Sequence, residues 1–114
     1  MVDATTSVGR LREDVRQFVH ARDWGQFHTP KDLAMAISIE ASELLEIFLW
    51  NRAEPPSQLA DEHRAAVADE LADVMIYGLS LANVLELDLS EAILSKLKKD
   101  EVKYPADRFR GRAR

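Results

Sequence analysis

The sequence predicts an all-α domain, a four-helix bundle, and three observations carry that prediction. Apolar residues recur at helical spacing along most of the chain, glycine and proline are scarce at four each in 114 residues, and the breakers mostly fall between the periodic segments. Leu11, Val15, Phe18 and Val19 recur at i, i+4, i+7 and i+8, which places a first helix over about 7–21. A loop from Arg22 to Thr29 follows, with Trp24, Phe27 and His28 around Gly25. Thr29-Pro30 starts the second helix, because threonine caps free amides and proline costs nothing at the first helical position. That helix is expected to reach about Trp50. Glu54-Pro55-Pro56-Ser57 stops it, since proline disfavours helical geometry in the residue before it. The third helix is expected from Gln58 or Asp61 to Leu85. Asp88-Leu89-Ser90 offers the next cap, and a fourth helix from Glu91 should end before Tyr104-Pro105.

The length suits one domain, taken as residues 1–114 with a basic tail from about 106. A 46% hydrophobic share is ordinary for a globular chain. The absence of cysteine excludes disulfides, thiolate metal sites and a cysteine nucleophile, and agrees with a reducing cytoplasm. The longest uncharged stretch, Val74 to Leu85, is too short for a bilayer crossing, which needs about 20 residues, and Asp3 with Thr5-Thr6-Ser7 does not read as an export signal. The net charge of −5 is unevenly spread. From Lys96 onward eight basic residues face three acidic ones, leaving +5 there and −10 before it. An acidic body repels nucleic acid and attracts divalent cations; the basic tail either meets phosphate or is a solvated terminus.

The chemistry lies in paired carboxylates. On the second helix Ala36, Glu40, Glu43 and Ile47 share a stripe at spacings of 4, 3 and 4. On the third, Val67, Glu70, Val74, Tyr77 and Leu81 do the same, with Asp73 beside them. Acids in apolar rows repel one another and cost several kcal/mol each to bury unpaired. Neither stripe carries a base. Either the acids form a solvated face, as such pairs often do, or a hard cation holds them; oxygen-only ligands point to Mg²⁺, with Mn²⁺ as a substitute. The ExxH spacing of di-iron bundles is absent, and no P-loop or GxSxG occurs.

The ordered set of Arg22-Asp23-Trp24, Gln26-Phe27-His28, Pro30, Glu40-xx-Glu43-Leu44, Phe48, Trp50, Glu70-Leu71-xx-Asp73-Val74, Ile76-Tyr77, Lys96 and Tyr104-Pro105 resembles the MazG-like all-α nucleotide pyrophosphohydrolases, and more closely their dCTP pyrophosphatase branch. The resemblance covers about residues 11–105. It implies Mg²⁺-dependent cleavage of a nucleoside triphosphate between the α and β phosphates, as a house-cleaning reaction on a pyrimidine deoxynucleotide. Glu40, Glu43, Glu70 and Asp73 match the metal ligands, and Glu40 or Glu43 would take the proton of the attacking water. Trp24 and Trp50 match positions flanking the base, His28 and Tyr77 match pocket residues, and Lys96, Asp100, Lys103 and Tyr104 match the phosphate side. Asp100 stands where the family usually has asparagine. Core or interface packing is the competing role for both tryptophans.

Ile47-Phe48-Leu49-Trp50 is apolar all round a helix, which calls for cover by a second copy. The resemblance implies a homodimer or a dimer-based tetramer. The alternative to an enzyme is a non-catalytic helical interaction or regulatory module on the same scaffold. No nucleic acid or membrane partner is expected.

Overall fold

The computed structural model describes residues 1–50 and 55–112. Among these the chain is helical with no strand: α1 is Val8–Ala21, α2 Pro30–Ile47, α3 Asp61–Val84, α4 Leu89–Lys103, and α5 a single turn, Ala106–Phe109. Three side-chain caps form, those at Thr29 and Asp88 where the sequence offers them. Ser7 Oγ accepts from the Arg10 amide, Thr29 Oγ1 from Asp32 and Asp88 Oδ1 from Glu91. α3 lacks a side-chain cap, but Asp61 and Glu62 lie in its first turn, where acids meet the positive end of the helix dipole.

Three boundaries differ from expectation. α2 stops at Ile47 rather than Trp50: the amides of Phe48 and Leu49 bond back to Leu45 and Glu46, an i→i+3 tightening that ends the helix before the apolar run does. α4 begins two residues early because Asp88 caps it, which makes Leu89 its first residue. The segment after Pro105 is not simply a frayed tail. α5 forms there, and Tyr104 packs edge-on against Phe109 with ring centroids 5.2 Å apart. A short 3-10 turn, Trp24–Phe27, also occupies part of the expected loop. The stop at Glu54 lies outside the described residues.

α2 and α3 pair along their length, α1 lies on α3, and α4 has no extended packing against any of them. The core is correspondingly small: among the described residues Leu33, Leu79 and Ala82 are the buried apolar ones, joined by Ser80. The radius of gyration, 17.0 Å, exceeds the roughly 13 Å of a compact chain near this length. Apolar side chains on α4 (Ile93, Leu94, Leu97) and at the end of α2 (Leu45, Leu49, Trp50) are exposed. No helix among the described residues is long and apolar enough to cross a membrane.

The joint between α1 and α3 is polar. Arg12 Nε donates to Asn83 Oδ1 at 2.9 Å and Asn83 Nδ2 returns a bond to the Arg12 carbonyl at 3.1 Å. Arg12 also bonds the Leu87 carbonyl, so one side chain ties α1 to the α3–α4 corner, where Glu86 takes a left-handed conformation at φ 53.

Candidate active site

The α2–α3 seam holds the acids. Ala36, Glu40 and Ile47 on α2 are half-buried, as are Val67, Glu70, Asp73, Val74, Tyr77 and Leu81 on α3, whereas Glu43 is exposed. The helical period alone puts each pair on one face, and the pairing of the two helices brings the pairs together. One carboxylate oxygen from each of Glu40, Glu43 and Glu70 lies within 4.8 Å of the others. Asp73 is outside that set of three but near enough for its charge to act on Glu40 and Glu70.

The electrostatics record this crowding. Glu40 is pushed up to about 7, first because its protonated form hydrogen-bonds to Glu43, then by desolvation and by the charges of Glu43, Asp73 and Glu70. Glu70 is raised chiefly by desolvation, then by the Glu43 charge and hydrogen bond and by Asp73, while a hydrogen bond to Glu40 pulls it down. One buried oxygen on each of Glu40 and Glu70 has no hydrogen-bond partner among the described residues. No base answers them, since the ion pairs there are Arg10–Asp14, Arg16–Glu13 and Lys96–Asp100. Converging carboxylates that repel when ionised, two of them with a buried unpartnered oxygen, fit a hard divalent cation.

The residues expected to hold substrate are scattered. Trp24 packs edge-on against Phe18 at 5.6 Å, with the Arg22 guanidinium 3.7 Å over the Phe18 ring, and it stays partly exposed. Trp50 is 91% exposed beyond the end of α2. Tyr77 is half-buried one turn past Asp73, and His28 lines a cavity beyond it. Lys96 is ion-paired to Asp100, and Lys103 stands 5.3 Å over the Tyr104 ring. These four lie on α4 or at its end, an element without extended packing against α2 or α3.

Residues 35–114 match the profile of the MazG-like family. The chain belongs to that family. It is 41% identical over 107 residues to dCTP pyrophosphatase 1 of Rattus norvegicus and 41% identical over 108 residues to dCTP pyrophosphatase 1 of Homo sapiens. Those alignments cover 89% and 90% of this chain but only 63% and 64% of the relatives. A pyrophosphatase from Archaeoglobus fulgidus, known by crystal structure, is 44% identical with a TM-score of 0.75, covering 82% of this chain and 87% of that one. This MazG-like chain also has a feature that the helical periods did not reveal. The cavity past Tyr77 is lined by Ser80 and Asn83 of α3 together with Arg16 and His20 of α1. Its only trace in the sequence is two polar residues, Ser80 and Asn83, interrupting the apolar end of α3.

Proposed function

We propose that this chain is a single-domain nucleoside triphosphate pyrophosphohydrolase. It hydrolyses a pyrimidine deoxynucleoside triphosphate, dCTP or a close relative, to the monophosphate and pyrophosphate. The carrying observation is the convergence of Glu40, Glu43 and Glu70 within 4.8 Å, beside Asp73, with two buried oxygens unpartnered. Similarity to dCTP pyrophosphatases supports the substrate class.

Glu40, Glu43, Glu70 and Asp73 would hold Mg²⁺, or Mn²⁺ in its place. When bound, the ion supplies positive charge against the triphosphate and lowers the pKa of the attacking water. Glu40 or Glu43, both in the cluster, would accept that water's proton. The water oxygen bonds to the α-phosphorus. The bond from that phosphorus to the oxygen bridging to the β phosphate breaks, and pyrophosphate leaves with the electron pair. Tyr77, one turn from Asp73, flanks the sugar and base. Trp24 and Trp50 offer faces for stacking, and His28 sits farther along the same side.

Lys96 and Lys103 would steady the leaving pyrophosphate as point charges, beside Asp100 and Tyr104. For this, α4 must be brought to the acids, and its exposed apolar face is suited to docking in a homodimer or dimer-based tetramer. The basic segment serves phosphate rather than nucleic acid.

Hydrolysis in ¹⁸O-labelled water tests the reading. Label is expected in the nucleoside monophosphate, with pyrophosphate as the other product. Label in orthophosphate, alongside a diphosphate, would overturn it.

A further inference from the structure

The face of α3 that carries the acids continues past them. Glu70, Asp73, Tyr77, Ser80 and Val84 follow one another at spacings of 3, 4, 3 and 4, so they form one stripe. Beyond Tyr77 the stripe runs into a cavity of about 270 Å³ between α3, α1 and the turn that carries His28. That volume lies just under the roughly 300–1,000 Å³ of small-molecule pockets, which suits one ring system rather than a whole nucleotide.

The polar groups around this cavity have unequal freedom. Asn83 is spent: its carbonyl accepts from Arg12 and, at 3.2 Å, from Arg16, and its amide donates to the Arg12 backbone. It therefore fixes Arg16 at the cavity and has little left for a ligand. Ser80 is different. It is 4% exposed, the one buried polar residue among those described, and its hydroxyl makes no side-chain hydrogen bond among the described residues. A buried hydroxyl facing a cavity is a group that a ligand edge can satisfy, as donor or acceptor. Seven residues of helix separate Asp73 from Ser80, about 10 Å of rise, which is on the order of the span from an α-phosphate across the sugar to the far edge of a base.

We propose that this cavity seats the base of the nucleotide and that Ser80 is a specificity-determining residue, its hydroxyl bonding the base edge. The assignment rests on the pyrophosphohydrolase reading. A base that bonds Ser80 gains a contact that a base unable to do so forgoes, and that difference is selectivity.

Two variants test it, Ser80→Ala and Val84→Phe. The first removes the hydroxyl with little change of volume. The second narrows the cavity from a partly exposed rim position, so it carries the test should the first fail to fold. Pyrophosphate release is measured on the deoxynucleoside triphosphates of the four bases, on dUTP, and on deoxyribose 5-triphosphate lacking a base. In Ser80→Ala the ratio of kcat/KM for the preferred nucleotide to that for the next best should fall about tenfold. In Val84→Phe the ratio of the preferred nucleotide to the base-free triphosphate should fall at least as far. Preferences that survive both substitutions in an active protein overturn the pocket alone. So does an equal loss on the base-free substrate, which marks a structural role. A wild-type protein inert toward every triphosphate overturns the hydrolase reading and the pocket with it.

Discussion

Raising the pH through neutrality should switch on divalent-cation binding in this protein, because Glu40 must lose its proton before four acids can hold an ion. With Glu40 at about 7, the ionised fraction is about 3% at pH 5.5, about 50% at pH 7 and about 97% at pH 8.5. The apparent association constant for Mg²⁺ should thus rise about 16-fold over the first interval and only about twofold over the second. Stability without metal should move the other way. The folded pKa lies above the unfolded value of 4.5, so between the two the folded state binds more protons than the unfolded one. The contribution of Glu40 to stability is full below about 4.5 and is lost as pH rises through about 7. Glu70, also raised, adds to the slope in the same direction. Titration calorimetry in buffers of different ionisation heat would read both the affinity and a proton released on binding. Melting curves with and without Mg²⁺ across pH 5.5–8.5 would read the stability, and the gap between them should widen with pH. An affinity that is flat from pH 5.5 to 7, with no proton release, would refute the reasoning, since it would mean that Glu40 is already ionised or not a ligand.

Glu43→Gln and Asp73→Asn should each abolish pyrophosphate release while the metal-free protein melts at the same temperature or higher, because removing one of several like charges relieves repulsion; near wild-type turnover at saturating Mg²⁺ would end the metal assignment. Trp24→Ala and Trp50→Ala should raise KM for the preferred nucleotide by roughly 5- to 150-fold, the equivalent of about 1 to 3 kcal/mol of stacking, and sedimentation would show whether the rings instead hold copies together. Asn83→Ala removes two charge-assisted hydrogen bonds and one neutral one between α1 and α3, and should cost about 1–3 kcal/mol in denaturant melts.

Helices α1 to α4 were legible because each carries an apolar period and most have a cap that side chains can supply. Thr29 and Asp88 are such residues, and both cap. The end of α2 was not legible, since Phe48, Leu49 and Trp50 continue the apolar pattern while the backbone has already turned. A single turn such as α5 is too short to show a period. The acids could be read from spacing within each helix, but their approach to 4.8 Å depends on how α2 meets α3. The bond between Arg12 and Asn83 joins residues 71 positions apart, and nothing local in the sequence announces it.

That bond bears on how the proposed parts of the site would work together. The acids depend on the α2–α3 pair, whereas the cavity depends on α1 being held against the C-terminal half of α3. Arg12 and Asn83 fasten the second arrangement without touching the first. Loosening α1 should therefore damage base selection before it damages metal binding, and losing an acid should do the reverse. α4 adds a third, separable part: Lys96, Lys103 and Tyr104 come with an element that the core of this chain leaves largely uncovered. With so few fully buried side chains among the described residues, the fold has little energy to spare for a cluster of unbalanced acids. Cation binding and burial of the α4 face are the two sources from which that deficit can be met, and both would assemble the same site.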